Sequence, residues 1–460
     1  MSIRTGGAGI PSSFLWPRCR VRRLPGLLPI VAAGTARGCA GVMEDRRIEE
    51  HHVHYNHTDP CSHLRWTARE CYEFMYERPW QRVSNFFADV VCGKSSLRSL
   101  FPGVPTADGS VGDTDTVSAD FASRKERTGR WARSTFKIDL GYHGGSFEGW
   151  QKQPDLNTVQ GVVEMALGEF VDEKKAQQLK DRSLPVEGCA SVAGRTDKGV
   201  SALHQVCSFY TWNKSVKACD IKDAINRAAP GKLRALSVAE VSRVFHPNFS
   251  AKWRRYFYIF PLDGRCKHQL NNCERRDSAY ADEMADYRTK LLTEFDHEND
   301  RYLSASPEGD HEAPVANAVK NDSFSVSKVN QLLLQLEGKS LSYKMFARDT
   351  KASRSIGPPT ECYVFHARAV ETRLPCDDQD GEGLRVMCVE LVANRFLRRM
   401  VRVLVATSIR EAAAGNGDDA LLKLMDATCR RATAPPAPPE GLCLADVGYE
   451  EFSRERCLIS

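Results

Sequence analysis

Two side chains of opposite charge, Arg195 and Asp197, stand two positions apart in Val192-Ala193-Gly194-Arg195-Thr196-Asp197-Lys198-Gly199-Val200. The stretch follows an apolar run from Val186 and is bracketed by glycines. It predicts a strand end opening into a tight loop that a ligand can approach closely. In extended backbone successive side chains alternate, so Arg195 and Asp197 share one side while Thr196 takes the other. A carboxylate beside a guanidinium can act as a nucleophile or stabilise a developing charge. A solvated surface turn fits the same residues, and the rest of the chain has to decide between the two.

Three further stretches carry groups suited to chemistry on a nucleic acid. Gly141 to Gln153 is a glycine-rich aromatic loop in which Trp150 is placed to stack on a base and Lys152 to meet a phosphate. In Ala251-Lys252-Trp253-Arg254-Arg255-Tyr256-Phe257-Tyr258-Ile259-Phe260, strand alternation puts Arg254, Tyr256 and Tyr258 on one face and Arg255, Phe257 and Ile259 on the other. Basic residues interleaved with aromatics suit RNA, and a buried sheet with satisfied tyrosine hydroxyls gives a similar string. From Asn394 to Ala414 the pattern predicts one long helix, with Phe396, Met400 and Val403 as its apolar stripe and Arg395, Arg399 and Arg402 at i, i+4 and i+7. Arg402 lies in an apolar run, and a buried guanidinium needs an anionic partner. Asp197 is the carboxylate we assign to it, the alternative being a plain basic helix face on RNA phosphate.

The elements that must position these groups follow from the periodicity. Phe136, Ile138 and Leu140 alternate with polar residues as a half-buried strand; Thr158 caps a helix carrying Val159, Val163 and Phe170. Strands are expected at Val206 to Trp212 and Leu233 to Val241, with a helix between them capped by Asp220. The order β-α-β-β-α-β predicts an α+β, ferredoxin-like arrangement for residues 131–263. A polar insertion spans 264–322. A second structured unit, 323–460, contains a helix at Val326 to Leu336, strands at Tyr363 to Val370 and Leu384 to Leu391, and the Arg-rich helix.

Upstream, residues 1–43 carry six arginines and no acid, and their longest apolar piece, Leu27 to Ala33, is too short to cross a bilayer. That composition predicts a transit peptide for chloroplast or mitochondrion. The histidines between His51 and His63 lack metal-ligand spacing and fit a polar segment. Within 44–130, the aromatic stretch Trp66 to Val91, broken at Pro79, predicts helices that pack on the main body, and 93–129 reads as a linker. The whole chain has 460 residues, 42% of them hydrophobic, enough for two or three units. Lys plus Arg is 64 and Asp plus Glu 59, a net charge of +5, so basic residues must cluster if the chain is to hold a polyanion. Sixteen cysteines without a single C-x-x-C pair argue against a zinc module or a disulfide scaffold.

Five stretches in this order, GYHGGSFEGWQKQPDLNTVQG, AGRTDKGVSALHQV, FSAKWRRYFYIF, NRFLRRMVRVLVA and ATAPPAPPEGLCLADVGY, resemble the TruA family of tRNA pseudouridine synthases over residues 131 to 450, as an organelle-targeted, plant-like member. The resemblance implies a pseudouridine synthase fold: two related ferredoxin-like α+β halves sharing a mixed, mostly antiparallel sheet across a basic cleft. It implies Asp197 as the essential carboxylate, Tyr256 as the aromatic packed on the target base, Arg402 as the arginine paired with Asp197, and Arg195 as the residue filling the place of a flipped nucleotide. It also implies tRNA as partner, uridines 38 to 40 as targets, a homodimer, no membrane, and neither metal nor cofactor. The chain departs from the family at Tyr142-His143-Gly144-Gly145-Ser146, where an acid is common, and at Asn248, where arginine is. Two other classes fit parts of the pattern: a non-catalytic RNA-binding protein in the same cleft, and a glycosidase using Asp197 with Glu187.

Overall fold

The computed structural model describes residues 64–102, 133–184, 190–264, 320–348, 359–375, 383–427 and 432–460, all within one unit running from His52 to Ser460. The expected transit peptide, the histidine-rich segment, Glu187 and nearly all of the insertion at 264–322 lie outside them.

The first half runs β1 (Ser134–Tyr142), α3 (Val159–Leu167), α4 (Glu173–Asp181), β2 (Ser191–Val192), β3 (Ser201–Thr211), α5 (Ala218–Ala228), β4 (Leu233–Val241). It is preceded by α1 (Ala68–Tyr76) and α2 (Trp80–Cys92). The second half runs β5 (Trp253–Pro261), α6 (Val326–Leu334), β6 (Ser340–Ser342), β7 (Glu361–Arg373), β8 (Arg385–Ala393), α7 (Met400–Ala413), α8 (Ala420–Met425), β9 (Leu442–Gly448). One sheet takes the order β4-β1-β3-β9-β5-β8-β7-β6, with β2 also on β3. Within the first half this gives 4-1-3-2, and β9-β5-β8-β7 repeats the same order in the second, so the expected ferredoxin-like pair is present. Among the described residues every pairing is antiparallel except β3 with β9, which join the halves in parallel through Ser201↔Cys443 and Ala202↔Leu444. β5 falls at the end of the first half by chain position; its hydrogen bonds to β8 and β9 put it in the second.

Local expectations hold where apolar spacing and capping agree. Thr158 accepts a hydrogen bond from the Gly161 amide at the start of α3, and β4 has the expected span. α5 begins earlier than expected: Lys217 occupies the cap position and Asp220 sits in the first turn, where a carboxylate suits the positive end of the helix. The expected long helix is also shorter. Residues 394–399 are irregular, and Arg399 takes the left-handed conformation at φ 59° immediately before α7. Asn394 causes this, because its backbone N–H and side-chain Oδ1 are both held by Tyr363 on β7 and its carbonyl accepts from Arg254. The chain is kept in the ladder until helix can start at Met400.

The N-terminal helices are core elements. A capping box between Thr67 and Glu70 starts α1, and Trp66, Phe74, Trp80 and Phe87 are buried in the same core as the inward residues of β5, with Phe74 and Trp80 against Phe260. The Trp80 ring packs edge-on to Phe260 at 5.7 Å, and Arg65 Nε lies 2.9 Å from the fully buried Glu411 carboxylate on α7. Leu97 and Leu100 are buried too, so the start of the expected linker belongs to the packed body.

Candidate functional site

β3 is paired along its far end by β2 and at its near end by β9, and the eight residues from Ala193 to Val200 leave the sheet between those two partners. This places Asp197 at the seam between the halves. Thr196 points inward, 8% exposed, with its hydroxyl 2.7 Å from the buried Tyr142 hydroxyl, while Arg195 and Asp197 face out, as alternation predicts. Gln205 Nε2 donates to the Gly194 carbonyl at 2.7 Å, and the Trp150 amide donates to the Thr196 carbonyl at 3.1 Å. The loop is therefore fixed from both sides.

Gly149 carries part of that support. Its φ is +90°, and a Cβ there would come within 3.1 Å of the Lys198 nitrogen and 3.2 Å of the Thr196 carbonyl. Gly149→Ala is expected to push the Asp197 loop outward and reduce turnover by about 10–100-fold, since displacements of an ångström can cost that much. Initial rates and thermal melts of the variant, compared with the wild type, measure this.

The Asp197 carboxylate is flanked by two guanidiniums: Arg402 Nη1 at 3.7 Å and Arg398 Nε at 3.9 Å. Arg402 is 3% exposed and donates through Nε to the Ala437 carbonyl at 2.6 Å, which locks α7 to the Pro-rich segment before β9. The structure thus brings Arg402 beside Asp197, the carboxylate assigned to it from the sequence. Arg398, unassigned from sequence, is the second cation. Its presence follows from the irregular 394–399 segment, which spreads Arg395, Arg398 and Arg399 around the opening instead of stacking them along a helix.

These groups line a cleft of about 1840 Å³ that also includes Arg195, Tyr256 and Phe396. Tyr256 is partly exposed, and its ring meets Phe396 edge-on at 5.0 Å. Burial pushes its phenol from 10.0 up to about 12, with Arg254 opposing and Asp197 adding to the rise. The hydroxyl stays protonated through neutral pH. Since the folded pKa is raised, the stability tied to that proton is intact below pH 10 and is lost as pH climbs through 12. Tyr256→Phe should therefore soften the loss of thermal stability between pH 10 and 12, by about 2 kcal/mol, and leave the activity profile between about pH 7 and 10 unchanged.

One expected contact changes. Trp150 is 1% exposed and packs in the core beside Tyr142 at 6.1 Å, so it supports the loop and cannot stack on a base. Lys152 stays exposed, with its Nζ 3.2 Å from Glu164 on α3. Glycine-rich spacing signals close approach of backbone, and here the approaching backbone is the protein's own. Arg254 is likewise structural: its Nη2 donates to Asn248 and to the Ala193 carbonyl at 3.1 Å, and its Nη1 to the Asn394 carbonyl at 2.8 Å, joining three segments behind Tyr256. One wall of the cleft was not legible in the sequence. Tyr76, Gln81 and Ser84 of the N-terminal helices line it, and Ser84 Oγ is 2.9 Å from His143 Nε2, the residue standing where an acid was expected.

Among the described residues one group approaches metal-ligand spacing, His366, Glu390 and Cys457. By alternation from β5 it lies on the face of the sheet away from Tyr256, and Glu390 is occupied by the Leu458 and Ile459 amides and by Arg255 at 3.5 Å.

A family model described as tRNA pseudouridine synthase matches residues 334–450, which hold Arg398 and Arg402. The tRNA pseudouridine synthase A of Bifidobacterium animalis subsp. lactis is 26% identical over 329 residues, 68% of this chain and 92% of that protein. That of Thermotoga neapolitana is 30% identical over 216 residues, 47% of this chain and 81% of its own. That of Solibacter usitatus is 37% identical over 130 residues, 28% of this chain and 48% of its own.

Proposed function

This chain belongs to the TruA family of tRNA pseudouridine synthases, isomerases that act on uridine in tRNA, and we propose that its reaction runs on Asp197 and serves uridines 38 to 40 of the anticodon stem-loop. The observation that carries the first part is the Asp197 carboxylate, held at the seam of the halves between Arg402 and Arg398 and beside Tyr256. The resemblance of the five motifs supports the second.

Isomerisation breaks the bond from N1 to C1′, turns the uracil and joins C5 to C1′, with the hydrogen of C5 leaving to water. Nothing is oxidised or reduced. The target base must leave its helix to reach Asp197, and Arg195, exposed on the same loop, is placed to fill the gap it leaves. Asp197 then acts on the ribose or the base, with the two guanidiniums keeping its carboxylate oriented. Tyr256 and Phe396 offer the flat wall against which the detached uracil turns without escaping. Arg395, Arg398 and Arg399 at the opening supply positive charge for the backbone of the RNA, so binding should weaken as salt rises. A homodimer, supported by the family resemblance, would present two such clefts. The Arg-rich, acid-free composition of residues 1–43 supports import into chloroplast or mitochondrion.

The test is release of tritium from tRNA transcripts labelled at C5 of uridine, followed by mapping of the modified position. Release that maps to positions 38 to 40 supports the proposal. Binding of tRNA without release would reduce the protein to an RNA-binding role, and release mapping elsewhere would overturn the assigned targets.

A further inference from the structure

Phe249 is 82% exposed, yet the turn that carries it is tied down at nearly every polar atom. The Asn248 and Phe249 amides both donate to His246 Nδ1, at 3.2 and 3.3 Å, and the Ser250 amide donates to the His246 carbonyl at 2.9 Å. His246 N–H donates in return to Ser250 Oγ. Arg254 Nη2 donates to Asn248 Oδ1 at 2.7 Å and Tyr449 to the Pro247 carbonyl at 3.0 Å. The His246 ring backs the Phe249 ring, 4.3 Å between centroids and tilted by 34°. Both rings line the cleft that holds Asp197 and Tyr256.

A large apolar ring held out into water contributes nothing to the core, and its fixed backbone means that little ordering remains to be done when something covers it. What covers it must fit a flat ring beside arginines in a cleft open to solvent. A nucleobase meets that description: every base offers a π-face, and aromatic platforms on basic surfaces hold nucleic acid by stacking without reading sequence. We propose that Phe249, backed by His246, is a stacking platform for a base neighbouring the target uridine, and so a positioning residue for the substrate. The proposal rests on the reading of the cleft as the tRNA site. Stacking there anchors the strand at one point while the target base is extruded toward Asp197, and this lowers the cost of holding the RNA distorted.

The experiment compares the full chain with its Phe249→Ala and Phe249→Tyr variants, measuring Kd for an unmodified tRNA transcript, KM and kcat by tritium release, and molecular mass by sedimentation. Phe249→Ala should raise Kd and KM about tenfold, the scale of losing one stacked base, with kcat within about twofold of wild type, and Phe249→Tyr should restore both constants. A Phe249→Ala protein with wild-type Kd would overturn the proposal. So would a Phe249→Tyr protein as weak as Phe249→Ala, or a change in mass, which would make Phe249 an interface between copies of the chain. If the wild type released no tritium, the assigned reaction would fall, while the Kd comparison would still decide the role of Phe249.

Discussion

Asp197→Asn should lose isomerisation by on the order of 10³-fold or more, the scale seen when a group acting on the reacting atoms is removed, while the protein still folds and binds tRNA. The substitution keeps the shape of the side chain and removes its charge. Asp197 is partly exposed, and its two cations lie at 3.7 and 3.9 Å, beyond hydrogen-bonding distance, so the fold depends little on these pairs. Arg402 keeps its hydrogen bond to Ala437 whether or not the carboxylate is charged. The loop remains fixed by Gln205 and by the Trp150 amide. Thermal melting should therefore be nearly unchanged while tritium release disappears. Appreciable release by the Asp197→Asn protein would exclude Asp197 as the acting carboxylate.

Arg402→Met should also reduce turnover, by roughly 10²-fold, but with a cost in stability that Asp197→Asn lacks. The guanidinium is almost wholly buried and has two jobs: one nitrogen faces Asp197 and another binds the Ala437 carbonyl. Removing it leaves that carbonyl without its donor, a loss of about 1–3 kcal/mol, and frees one side of the carboxylate. Arg402→Lys keeps a charge but not the fork that serves both contacts, and should fall between Met and wild type. Because the proposed step uses both residues together, the double variant Asp197→Asn/Arg402→Met should be no slower than Asp197→Asn alone. Rates and denaturant unfolding of the four proteins test this; an Arg402→Met enzyme with full kcat would assign Arg402 to structure only.

Much of the chain could be read from its residues because local signals and tertiary demands agree there. The alternation in Phe136 to Leu140, the cap at Thr158, the apolar spacing of α3 and the extended reading of Arg195, Thr196 and Asp197 depend only on neighbours a few positions away. The nearness of Arg402 to Asp197 was also legible, since a guanidinium inside an apolar run needs an anion wherever the chain places it. The fates of Trp150 and Arg254 were not. An aromatic or basic residue in a glycine-rich or strand segment suits a nucleic acid surface and a protein interior equally, and which one it meets depends on strands that return from elsewhere in the chain.

The sequence by itself determined the charged residues of the Asp197 loop and of the Arg-rich segment, the strand and helix periods, and through its motifs the family. Only the tertiary structure decided that β9 returns to β3 and opens the seam where Asp197 stands, that Asn394 delays α7 so that Arg398 reaches the carboxylate, and that the N-terminal helices form a wall of the cleft. The reason is the same in each case: these arrangements are set by hydrogen bonds and packing between residues far apart in the chain, such as Ser201 with Cys443, Asn394 with Arg254 and Ser84 with His143, and no local period records them.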